Sequence, residues 1–137
     1  MGRVLAFDYG TRRVGVAVTD SLKIIASTLE TTPTVKIFDF IKGYCAKEEV
    51  EAFVVGFPYN FGHGENEVVV HIEEFIAKLK ALYPEKPIHK IDERYTSSIA
   101  KRTLIASGVS KKDRRNKGSI DAISANLILQ SYLEMQG

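Results

Sequence analysis

Carboxylates stand at three points where the chain changes direction. Asp8 follows the apolar run Val4 to Phe7, Asp92 and Glu93 follow Ile88 to Ile91, and Asp121 lies two residues after the helix-capping Ser119. In open sheets, ligands collect beyond strand ends and at helix starts near the sheet centre. Carboxylates gathered there without cations repel one another. A divalent cation removes that cost, and hard oxygen ligands suit Mg2+ or Mn2+. Two such ions about 4 Å apart can activate water and stabilise the leaving oxygen in phosphodiester hydrolysis. Each acid also has a plainer role. Asp8 can open an Asx-type turn before Gly10, Asp92 or Glu93 can pair with Arg94, and Asp121 can favour a helix dipole. Asp121, Ala125, Ile128 and Tyr132 nevertheless fall on one helical stripe, mostly apolar, which turns position 121 toward a sheet rather than toward water.

The elements that must carry these acids follow from periodicity. Val4 to Phe7 is a continuous apolar run, as in a central strand covered on both faces. Asp8-Tyr9-Gly10-Thr11-Arg12 reads as a turn, Val14 to Val18 as the returning strand, and Ile25 to Leu29 as a weaker third strand of an antiparallel meander. Pro33 and Thr34 open a helix with Ile37, Phe38, Ile41, Tyr44 and Cys45 on one side. Ala52 to Gly56 is a second buried strand, ending at Pro58 and the loop Tyr59 to Asn66. A helix follows with Val68, Ile72, Phe75, Ile76, Leu79 and Leu82 at helical spacing, ended by Pro84 and Pro87. Ile88 to Ile91 is a short strand. Thr96 caps a helix through Ser107, with Gly108 as its stop. Ser119 caps the last helix, to about Glu134.

The chain has 137 residues, 45% of them apolar, which suits one domain, 1–137, with a real core. Net charge is only +2, so charge distribution carries more information than its sum. The single cysteine, Cys45, allows no intrachain disulfide and no cysteine zinc site, and its apolar helical setting reads as a buried small hydrophobe. The N-terminal apolar run is too short for a signal peptide and no run reaches membrane-spanning length. A cytoplasmic protein with no membrane partner is the expectation.

Four segments together resemble the YqgF family of Holliday junction resolvases and pre-16S rRNA nucleases. They are Phe7 to Asp20 (Phe7-Asp8-Tyr9-Gly10-Thr11-Arg12-Arg13-Val14-Gly15), Val54-Val55-Gly56-Phe57-Pro58 with its glycine loop, Asp92-Glu93-Arg94-Tyr95-Thr96-Ser97, and Lys117-Gly118-Ser119-Ile120-Asp121-Ala122 leading into Leu127 to Leu133. The resemblance implies an α/β, RNase H-like (RuvC-type) fold: a mixed five-stranded sheet, order 3-2-1-4-5, flanked by helices. It implies a metal-dependent hydrolase of phosphodiester bonds that matures the 5′ end of 16S rRNA. It makes Asp8, Glu93 and Asp121 the catalytic metal ligands, with Asp92 as a fourth candidate. In the RuvC pattern the second acid ends the fourth strand, beside the first. Here that place reads Val54-Val55-Gly56-Phe57-Pro58, with no acid, and Glu93 comes two strands away from Asp8, roughly 10 Å between backbones. Gly56, lacking a side chain, leaves room there for a phosphate.

Between Lys101 and Lys117 stand seven cations, Lys101, Arg102, Lys111, Lys112, Arg114, Arg115 and Lys117, with Asp113 the only acid among them. A positive segment next to a carboxylate cluster suits a polyanion, although a solvated loop has the same composition. Arg12 and Arg13 can add phosphate contacts and Arg94 can orient a carboxylate or a phosphate. Such contacts position a backbone and do not read bases. His63, between two glycines, can act as an acid or base or simply sit on a surface loop, while His71 and His89 read as structural or exposed.

The favoured partner is therefore pre-rRNA, free or within a ribosomal particle. Structured four-way DNA is the alternative; it calls for a dimer, whereas nothing in the sequence announces more than a monomer or weak dimer. A non-catalytic RNA-binding assembly factor is a third reading. An actin-type ATPase needs a second clamping domain, for which the chain is too short.

Overall fold

The computed structural model of the chain describes residues 2–57, 66–92 and 117–136, with side chains at 66, 67, 117–122 and 136 left aside. Five strands form one sheet: β1 (Arg3–Tyr9), β2 (Arg13–Thr19), β3 (Ala26–Pro33), β4 (Val50–Phe57) and β5 (Ile88–Asp92). Their order is β3-β2-β1-β4-β5. β1, β2 and β3 are an antiparallel meander, whereas β4 runs parallel to β1 and β5 parallel to β4. The described helices are α1 (Ile37–Lys47), α2 (Asn66–Leu82) and α3 (Lys117–Gln136). The order and the mixed polarity are those the resemblance implied. The helix expected over 96–107 lies outside the described residues.

The continuous apolar character of β1 has a simple cause. Val4, Leu5, Ala6 and Phe7 are all buried because both faces of the sheet are covered. Leu5 and Phe7 join Val14, Val16, Phe53, Val55 and Phe57 in a core with Ile37 and Ile41 of α1 and Ile72, Phe75 and Leu79 of α2. Val4 and Ala6 join Ala17, Ala52, Val54 and Ile91 in a second core with Ala125, Ile128, Leu129 and Tyr132 of α3. The first face is built from large side chains, and Phe7 meets Phe75 edge to face at 5.4 Å between ring centroids. The second is built mainly from small ones, so α3 lies close against the strands. Burial of Ile128 and Leu129 alone contributes about 1.5–3 kcal/mol each to holding α3 there.

Several features differ from expectation. β3 extends to Pro33, four residues past Leu29, because ladder hydrogen bonds to β2 continue through Thr31 and Thr32. α3 begins at Lys117, two residues before Ser119. On α2 the expected stripe is narrower: Ile72, Phe75 and Leu79 are buried, while Val68 and Leu82 are exposed. Cys45 is half-buried rather than buried. Burial pushes its thiol up, against the opposing influence of a hydrogen bond with Tyr83, which leaves no activated thiolate at neutral pH.

The β2–β3 connection is tied by Asp20. Its Oδ1 accepts hydrogen bonds from the Ile24 and Ile25 backbone N–H groups at 2.8 and 2.9 Å, which hold the carboxyl below its usual range. Lys23 takes the left-handed backbone there, φ 59°, and its Nζ reaches Glu51 Oε1 at 2.8 Å. Among the described residues no helix is long and apolar enough to cross a membrane.

Candidate functional site

Asp8 is the second-last residue of β1, half-buried at the rim where the parallel strands end. Strand alternation gives it the face of Val4 and Ala6, the face that α3 covers. Its antiparallel partner on β2 is Gly15. On the other side, Phe7 pairs with Val55 of β4, so one step further along come Asp8 and Gly56. The carboxylate thus has a glycine on each neighbouring strand and no β-carbon beside it on either flank. Gly15 was not singled out from the sequence; only the hairpin register reveals it as the residue facing Asp8.

Position 121 lies in the first turns of α3, ahead of its buried stripe. Ala125, Ile128 and Tyr132, at helical spacing from it, are 0%, 1% and 9% exposed against the sheet. Residue 121 lies one turn before Ala125, which is about 6 Å along the axis, and Ala125 shares its core with Ala6, two residues before Asp8. Asp8 and position 121 therefore stand on the same side of the sheet. Asp92 is placed differently. It ends β5 opposite Phe57, and the register Val55 to Lys90 puts Lys90 and Asp92 on the α1/α2 side. Lys90 confirms the side by its 3.0 Å ion pair with Glu73 of α2. Asp92 thus alternates away from Asp8, from two strands over. Glu93, Arg94, Lys111, Lys112, Arg114, Arg115 and His63 lie outside the described residues, and Lys117 is described only as the first residue of α3.

The β1–β2 turn carries Arg12, exposed, and Arg13, half-buried, next to the rim. Thr34 pins this turn from the short 3-10 helix Thr34–Lys36, which leads into α1 and makes with it the α1 segment. Its Oγ1 donates to the Gly10 carbonyl at 2.6 Å and its backbone N–H donates to the Arg12 carbonyl at 3.0 Å. A β-carbon at Gly10 would stand 2.7 Å from the Arg13 carbonyl oxygen. Gly10→Ala is therefore expected to force the turn open, at a cost of about 1–3 kcal/mol typical of overpacking. Thermal unfolding should show a lower Tm; an unchanged Tm would mean the turn is not held as tightly as described.

Among the described residues, no three His, Cys, Asp or Glu side chains cluster as a ready metal site. The chemistry of what is described still fits a hard cation: a rim carboxylate flanked by glycines, and a second acid position on the same sheet face.

Comparison with known proteins agrees with this architecture. The family model described as "RuvX: Holliday junction resolvase" matches residues 2–135. A protein of Bacteroides thetaiotaomicron named "Putative pre-16S rRNA nuclease" is 47% identical over 134 residues, covering 98% of this chain and 97% of its own. One of the same name from Porphyromonas gingivalis is also 47% identical, with the same coverage. Among solved structures, T. thermophilus RuvC in complex with Holliday junction substrate superposes with a TM-score of 0.61 at 16% identity, covering 100% of this chain and 97% of that one. The Fowlpox virus resolvase in complex with Holliday junction DNA gives 0.61 at 10% identity, covering 98% of each chain. At such identities the likeness speaks for the fold, which is RNase H-like. With the family model spanning nearly the whole chain and relatives close to half identical along their length, the chain belongs to the RuvX family, the YqgF family of the sequence resemblance.

Proposed function

We propose that the chain is a metal-dependent nuclease that hydrolyses phosphodiester bonds at the 5′ end of the 16S rRNA precursor, in the cytoplasm. The observation that carries this reading is Asp8: a carboxylate at the rim of the parallel strands, with Gly15 and Gly56 beside it, on the sheet face that α3 covers. Asp8, Glu93 and Asp121 would hold the cation. Glu93 is preferred to Asp92 because Asp92 alternates to the other side of the sheet. Mg2+ or Mn2+ bound there would neutralise the clustered acids, lower the pKa of water toward neutrality and stabilise the leaving oxygen. The chain's own groups do the rest. Arg12, at the exposed turn, offers a fork-shaped contact to a phosphate. Gly56 leaves the space a phosphate needs. The cations from Lys101 to Lys117 draw in the polyanion.

RNA is preferred to junction DNA because the relatives named for pre-16S rRNA are 47% identical, whereas the junction-bound fold relatives are 10–16% identical. The family model's description keeps junction cleavage as the second reading. The test presents the purified protein and manganese with a precursor fragment and, separately, with a four-way DNA junction. The expected result is a shortened RNA, an intact junction, and no cutting by Asp121→Asn. Junction cleavage without RNA cleavage would overturn the RNA assignment. Equal cutting by Asp121→Asn would sink the active-site assignment.

A further inference from the structure

Tyr9 follows Asp8 and therefore takes the opposite side of the sheet. There it lines a cleft of about 160 Å³ together with Thr34, Ile37 and Phe38 from the α1 segment and His71, Glu74, Phe75 and Lys78 from α2. The walls are aromatic: the Tyr9 and Phe75 rings lie 5.0 Å apart and the Phe38 and Phe75 rings 5.3 Å apart, by centroid. Polar groups are few and of mixed kind. Glu74 supplies a carboxylate acceptor, and His71 and Lys78 supply nitrogens. Lys78 Nζ sits over the Phe38 ring at 4.7 Å. Tyr9 adds a phenol hydroxyl to the lining.

The size and the lining define the ligand. An apolar cavity of about 150 Å³ accepts one benzene, so this cleft has room for one flat heteroaromatic ring system and no more. Aromatic walls stack on a π-face, while a carboxylate and a cation nearby suit ring N–H donors and carbonyl acceptors. A second phosphate is a poor match, because Glu74 stands in the lining. The cleft opens next to the turn that Thr34 pins, one residue along the chain from the rim carboxylate.

We propose that this cleft receives an unstacked nucleobase from the strand whose backbone lies at Asp8. The phosphate is held on one side of the sheet rim while a neighbouring base turns over the rim and packs against the half-exposed rings of Tyr9 and Phe38, which the buried Phe75 ring supports from below. The inference rests on the nuclease reading only for the source of the base. It gives a protein whose other contacts address the backbone a way to sense a single-stranded, splayed segment, since a base held within a duplex cannot enter.

The test measures binding rather than cutting, in the Asp8→Asn protein so that the RNA stays intact. A single-stranded RNA is scanned with one abasic site at a time. One position is expected to weaken binding roughly tenfold, the scale of losing one base–aromatic stack. His71→Trp, which fills the cleft, should bind intact RNA as weakly as the unfilled protein binds that abasic strand, and should no longer respond to the abasic site. Should His71→Trp fail to fold by thermal melting, Glu74→Ala, at an exposed position, serves in its place and should shrink the response. The proposal is overturned if no position matters, or if the filled cleft responds as the open one does. A response that persists in a protein found not to cut would support the base site while removing the nuclease reading.

Discussion

Asp8→Asn is expected to lower the cutting rate by about three orders of magnitude, the kinetic equivalent of the several kcal/mol a metal centre supplies, while leaving the fold standing. Asparagine keeps the shape of aspartate, so the packing at the end of β1 is preserved. What it removes is the negative charge that a hard cation needs. The same change should be visible without any substrate. A cation that binds only the folded protein raises its Tm with concentration. Manganese should therefore raise the Tm of the wild type and have a much smaller effect on Asp8→Asn. Equal stabilisation of both proteins would show that the cation binds elsewhere and would remove Asp8 from the ligand set. Single-turnover cutting and thermal melts with and without manganese give both readouts.

The second large effect is expected from a residue that carries no charge. Ala17 is fully buried on β2, paired with Ala6, on the face that α3 covers. Ala17→Leu adds bulk where the sheet offers α3 mainly small side chains, Val4, Ala6, Ala52 and Val54. Overpacking of this kind costs about 1–3 kcal/mol, a modest loss. The effect on cutting should be larger, because α3 is displaced and position 121 moves with it. A shift near 1 Å at a reacting centre is enough for about 100-fold. Leu79→Ala provides the contrast. Leu79 is equally buried, but in the core between the sheet and α1/α2. Its truncation should cost about 2–5 kcal/mol and leave the rate per folded molecule nearly unchanged below the melting transition. Comparing cutting rates, each corrected for the folded fraction, checks the pair. If Leu79→Ala slows cutting as much as Ala17→Leu, the seating of α3 has no special hold on the rate.

The contrast between the two faces also explains what sequence could and could not reveal. The run Val4 to Phe7 announced a central strand because both sides are covered and no alternation survives. The stripe of Ala125, Ile128 and Tyr132 on the last helix needed only helical spacing, and all three are buried. β3 was read short because its residues are mostly exposed threonine, serine and glutamate, which give an edge strand little apolar signal. The opposite sides taken by Asp8 and Asp92 were hidden for a different reason. Alternation within one strand can be counted from sequence, but comparing two strands requires their register. That register, Phe7 to Val55 to Lys90, links segments far apart in the chain. The Tyr9 cleft was illegible for the same reason, since its walls come from β1, the α1 segment and α2.

The order in which these parts leave the ribosome has a consequence of its own. The β1–β2 hairpin, with Asp8 already facing Gly15, is local and can form early. Its other neighbour, β4, arrives about 40 residues later. Position 121 is translated after all five strands, on the helix that closes the second face. A nascent or prematurely terminated chain that stops short of α3 therefore lacks the apolar cover of the second face, and Val4, Ala6, Ala17 and Val54 stay open to non-native association.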